Sequence, residues 1–210
     1  MAQDTAAGAM RVVLCWHMHQ PDYRLQGRLL RPWTWLHAIK DYSDMAAHLE
    51  EIPGARAVVN FSPVLIRQLQ DLPERIRALL ASREPSGDAI LDALAGCRAQ
   101  GPQRQDLVRA LLRVNEQHMK PRLPAYAHLF ESARQALEAG SPLSDSDLGD
   151  LLVTYVLTWT GESLRSAPLP RRLLAREHNY SDDDRAELLA WLGDTIAGLL
   201  SRYRALADSG

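Results

Sequence analysis

Hydrophobic residues change from continuous runs to helical spacing within the first part of this chain. Residues 11–16 (RVVLCW) are apolar and β-branched with no helical period, which predicts a buried strand. The run leads straight into His17-Met18-His19-Gln20-Pro21, where the proline ends regular pairing. A polar loop with Gly27 and Pro32 follows. From about Thr34 a helix is expected, with Leu36, Ile39, Met45, Leu49 and Ile52 on one face and Pro53-Gly54 as its stop. Residues 56–61 (RAVVNF) repeat the buried-strand pattern and end at Ser62-Pro63. Strand, helix and strand in this order make the βαβ unit of a parallel sheet, with a right-handed crossover.

Past Pro63 the pattern is helical. Val64, Leu65, Leu69 and Leu72 predict a short helix broken at Pro73, and Ile76, Leu79 and Leu80 predict another. Residues 82–88 and 96–105 read as loops because of Pro85, Gly87, Gly101 and Pro102. Leu107, Leu111, Leu112 and Val114 continue a helix that Pro121 and Pro124 must kink or split. Ser144 is placed to cap a helix carrying Leu148, Leu152, Tyr155 and Trp159. Ser181 precedes Asp182, Asp183 and Asp184, which favour a helix N-terminus electrostatically. Leu189, Leu192, Ile196, Leu199, Tyr203 and Leu206 then form its stripe. Two strands against many helices leave sheet edges and faces uncovered, so a fragment of a larger α/β fold is expected.

Composition narrows the class. Of 210 residues, 46% are hydrophobic and 24% charged, the profile of an ordinary globular protein. Lys plus Arg total 24 against 26 Asp plus Glu, so no basic excess points to nucleic acid or an anionic membrane. Cys15 and Cys97 are too few for a disulfide framework or thiolate cluster. The first residues lack the basic start and apolar core of a signal peptide, and no apolar stretch is long enough to span a bilayer. A cytoplasmic protein is expected, with no cofactor implied.

The chemistry concentrates at HMHQP. Side chains at i and i+2 of a strand share a face, so His17 and His19 would point into one pocket. Imidazoles there would hydrogen-bond sugar hydroxyls or serve as paired metal ligands.

Three segments in order, CWHMHQPDYR, PWTWLHAIKDYSDMAAHLEE and ARAVVNFSPVLIRQL, resemble the N-terminal part of glycoside hydrolase family 57. His19, Gln20 and Pro21 match its HQP motif, and LTWTGESLR (157–165) resembles a helical insertion of some bacterial members. The resemblance implies an α/β fold in which residues 1–72 are the first βαβ segment of a (β/α)7 catalytic barrel. Residues 73–210 would be a mostly helical inserted region ending before the next barrel strand, which leaves the barrel incomplete. It implies a retaining enzyme on α-glucans or maltooligosaccharides, with a Glu nucleophile and an Asp acid/base roughly 5–5.5 Å apart. No segment here resembles either catalytic motif, so both carboxylates and the C-terminal part of the barrel are expected beyond Gly210, and the chain alone is expected to be inactive. Glu162 reads as a helix-surface or capping group.

What carries over is binding. His17 and His19 would line the subsite beside the cleaved bond, with Gln20 fixing the loop. Trp33 and Trp35 are sugar-stacking candidates, although packing at the helix start accounts for them equally well. Asn60 and Ser62 are lesser pocket candidates. Trp16 is expected under a barrel helix, Asp41 and Tyr42 as helix anchors, and Trp159 and Trp191 in the core. Two other functions remain open. A metal-dependent amidohydrolase-type barrel would use the His pair with further His and Asp ligands, and a non-catalytic helical module would bind glucan or a partner without cutting.

Overall fold

The computed structural model describes residues 12–26 and 28–209. The first strand, β1, is Cys15–Met18, later than the 11–16 run predicts. Arg11 lies outside the described residues, and Val12, Val13 and Leu14 are not strand but exposed chain, with Val12 at 75% and Leu14 at 55% exposure. Pairing sets this boundary, because β1 has as its only described partner a strand of equal length. A short antiparallel hairpin follows, β2 (Arg24–Leu25) with β3 (Arg28–Leu29), inside the segment expected to be loop.

The first long helical segment is one rod in three parts. These are α1 (Trp33–His37), a π-helical turn (Ala38–Tyr42) and α2 (Ser43–Glu51). The chain returns in β4 (Val58–Phe61), which pairs parallel with β1 in the register Cys15↔Val58, Trp16↔Val59, His17↔Asn60 and Met18↔Phe61. The βαβ expectation therefore holds for this pair. The expected burial does not: Val58 is exposed, and of β1 only Met18 is buried. A two-stranded sheet packs well on one side only, and Trp16, Val59 and Phe61 are half-buried against the core there.

Helix α3 (Pro63–Ser82) runs unbroken through Pro73, contrary to the expected break. A proline removes one N–H bond and crowds one carbonyl, and here the ring is buried in a stripe of Leu65, Leu69, Leu72, Ile76 and Leu79 that holds the helix together. Then come α4 (Ala89–Leu94) and α5 (Gly101–Leu111). Pro102 starts α5 rather than breaking a loop, since a first-turn proline needs no N–H partner. Helix α6 (Glu116–Met119), a 3-10 turn at Lys120–Arg122 and α7 (Pro124–Glu138) realise the expected split at Pro121 and Pro124.

Helix α8 (Asp145–Trp159) is buried on every side from Leu148 to Thr158, which makes it the central post of the helical layer. Ser144 caps it by accepting from Asp147 N–H at 3.0 Å. Short α9 (Glu162–Arg165) and α10 (Pro168–Arg176) lead to α11 (Asp182–Ser209). Ser181 Oγ accepts from Asp184 N–H at 3.1 Å, and Asp184 Oδ2 accepts from Ser181 N–H at 2.9 Å, a reciprocal cap. The predicted stripe of α11 lies against α3, where Gly193 lets the helices approach: a Cβ there would stand 3.0 Å from Ile76 Cγ2. Most of the molecule is thus a helical layer against one small parallel sheet.

Candidate active-site corner

Parallel strands end on the same side, and the ends of β1 and β4 bring His17 level with Asn60. His17 Nδ1 lies 2.8 Å from Asn60 Oδ1. Protonated there, the imidazole donates to the carboxamide and presents Nε2 as an acceptor. The His19 ring stacks on that of His17, with centroids 5.9 Å apart and planes 9° from parallel. Both rings are exposed, while Trp16 turns to the opposite face and packs on the core.

The loop after His19 is held from two sides. Gln20 Nε2 donates to Tyr42 Oη at 3.3 Å, and Tyr23 Oη donates to Gln20 Oε1 at 2.9 Å. Beneath it, buried Gln68 of α3 donates to Pro21 O at 2.9 Å. Its Oε1 accepts from Tyr23 N–H at 3.3 Å and from Thr34 Oγ1 at 3.1 Å. One side chain thereby joins the HQP loop to the start of α1. Gln68 stands three residues after Leu65 and four before Leu72, so helical spacing puts it at the edge of the buried stripe, but that spacing does not name its partners.

The tryptophans divide. Trp35 has 0% exposure, and its Nε1 donates to the buried Asp88 carboxylate at 3.0 Å. It has no free face to stack on a sugar; packing at the helix start is its role, because position 35 falls on the inner stripe of α1. Trp33 is half-buried and meets Trp159 at 6.0 Å between ring centroids. Trp159, expected in the core, is half-buried and also meets His37 edge-on at 6.0 Å. Trp191, under the same expectation, is likewise half-buried, and both tryptophans pack against the core.

His37 bonds through Nδ1 to Asp41 Oδ2, and Lys40 donates to Asp41 Oδ1 at 2.5 Å. Burial pushes the Asp41 carboxyl up, but these two partners outweigh it and hold it below its ordinary value. Burial raises the Tyr42 phenol. Asp41 thus pairs within its own helix, whereas Tyr42 is the anchor, buried and tied to Gln20. The i, i+4 spacing of His37 and Asp41 was the signal for that pair.

The π-turn frees carbonyls that tertiary partners take up. Ser43 Oγ donates to Ala38 O at 2.7 Å, Gly161 N–H to Ile39 O at 2.8 Å, and Tyr203 Oη to Tyr42 O at 2.7 Å. Asp44 then caps α9, accepting from Glu162 N–H at 3.0 Å, Ser163 N–H at 2.9 Å and Ser163 Oγ at 2.6 Å. A Cβ at position 161 would lie 2.6 Å from Asp44 Oδ1, so glycine is required by close approach. Glu162 is surface-exposed, as expected, with Arg122 3.0 Å from its carboxylate.

Among the described residues, no group of three or more His, Cys, Asp or Glu is placed to hold a metal ion. No helix is long and apolar enough to cross a membrane among those residues. In comparison with known proteins, no curated protein and no solved structure matches the chain. The sequence model of glycosyl hydrolase family 57 matches residues 13–210, which takes in the histidine corner, the π-turn and the helical layer. The chain belongs to glycosyl hydrolase family 57 and is of glycosidase type.

Proposed function

We propose that this chain forms the substrate-binding corner of a retaining α-glucan-active enzyme built on a (β/α)7 barrel. In this reading residues 1–72 supply the first βαβ segment, with β1 and β4 as adjacent barrel strands, and residues 73–210 are the helical insertion packed outside it. The observation that carries the reading is the parallel pair of imidazoles, His17 and His19, with Asn60 orienting one of them at the strand ends. Two exposed rings of this kind, each with a donor or acceptor nitrogen, suit adjacent hydroxyls of a neutral glucose unit. Gln20 fixes their loop through Tyr42 and Tyr23.

The nucleophile and acid/base belong to strands other than β1 and β4. Asp41 is engaged by His37 and Lys40, and Glu162 by Arg122, so neither carboxylate stands free to attack or protonate a sugar. The exposed apolar side chains of Val12, Val13, Leu14 and Val58 mark where further strands would pack. The 210-residue chain is therefore a glucan binder that does not cut, and the cytoplasmic setting expected from its composition belongs to the same proposal. The test is maltopentaose binding and reducing-end release by the purified chain. Binding in the wild type, lost in His17→Ala, with no reducing ends released, is the expected result. Release abolished by His19→Ala would overturn the binding-only reading, and no binding at all would overturn the α-glucan assignment.

A further inference from the structure

A cavity of about 500 Å³ lies between the start of α1 and the helices α4 and α5, with Trp33 in its lining. Its size falls within the range of ligand clefts, roughly 300–1,000 Å³. It shares none of its lining with the His17–His19 corner. Trp33 forms an aromatic wall, and Gln103 and Asp106 project from α5 as exposed polar groups. Arg31 and Arg113 also line it, while the Asp88 carboxylate at its edge is taken up by Trp35 Nε1 and the Ile90 and Leu91 N–H groups and Asp106 pairs with Arg109. Tyr155, fully buried, also lines it.

A tryptophan beside carboxamide and guanidinium groups matches a polyhydroxylated ligand better than an apolar one. We propose that this cavity is a second carbohydrate site, taking a segment of α-glucan chain with a sugar ring against Trp33. The choice of glucan rests on the function proposed above; the location rests on the cavity itself. The site would hold a long chain at a distance from the bond being processed.

The test follows the indole ¹⁵N–¹H signals of the intact chain during titration with maltotriose. Trp33 is assigned by Trp33→Phe and reports the cavity, and Trp16, assigned likewise, reports the strand beneath His17. Expected is a saturable shift of Trp33 that survives His17→Ala and weakens at least fivefold in apparent affinity in the Gln103→Ala/Asp106→Ala double variant. Both substituted residues are exposed, so folding is preserved and circular dichroism checks it. If Trp16 responds while Trp33 does not, the second site is overturned and the histidine corner stands. A Trp33 shift lost in His17→Ala and kept in the double variant also overturns it. If neither responds to maltotriose, both readings fall.

Discussion

Replacing Gln68 with methionine keeps the length of the side chain and removes its amide. Three groups then lose a partner: Pro21 O, Tyr23 N–H and Thr34 Oγ1, bonded at 2.9, 3.3 and 3.1 Å. A typical internal hydrogen bond contributes about 1 kcal/mol, and a buried polar group left unsatisfied costs about 1–3 kcal/mol. Gln68 itself is buried, whereas Pro21 is exposed and Tyr23 half-buried, so water reaches part of the vacated loop. The expected loss is therefore about 2–3 kcal/mol rather than the full sum. Urea unfolding of Gln68→Met measures it, and hydrogen exchange at Tyr23 N–H locates it. Exchange there should accelerate far more than at the α11 core, because the damage is local to the loop that carries His19 and Gln20. A variant within 0.5 kcal/mol of wild type with unchanged Tyr23 protection would refute the role of Gln68 as the loop's clamp.

Two further predictions concern the same scaffold. Gly161→Ala places a methyl group against the Asp44 carboxylate and should cost about 1–3 kcal/mol, while Asp44→Ala should cost about 2 kcal/mol through loss of the α9 cap. Combined, the two should destabilise less than their sum by at least 1 kcal/mol, since the second removes what the first collides with; additive denaturation energies would contradict the close approach. Asp184 contributes to the acid limb: burial pushes its carboxyl up, but the Ser181 N–H and hydroxyl and the Arg176 and Arg172 guanidiniums pull it further down, to a net value below the ordinary 3.8. The unfolded chain then binds the proton more readily, so this stabilisation is whole well above pH 3.8 and disappears as pH falls through the lower folded value. Asp184→Ala should cost about 2 kcal/mol at pH 7, and its gap from wild type should narrow on acidification to pH 3; a gap constant with pH would refute this.

The sequence by itself determined the local pieces: the βαβ order, the Ser144 and Ser181 caps, the splits at Pro121 and Pro124, and the stripe of α11. These depend on neighbours a few residues apart, where spacing, proline and cap chemistry act directly. It also placed His17 and Asn60 at strand ends, because alternation along a strand needs no distant partner. Tertiary structure decided the rest. Pro73 sits in an unbroken helix since the buried face of α3 outweighs one missing hydrogen bond. Trp35 and Trp33 are equal as letters, yet only packing puts one at 0% exposure and leaves the other at a cavity wall. Gln68, Asp44 and Gly161 act across separations of tens of residues or more, bonding backbone groups whose positions exist only once the helices have docked. Long-range polar partners have no period along the chain, and so the corner's histidines, with Asn60, Gln20 and Tyr42, were legible in advance while the groups that Gln68 ties together were not.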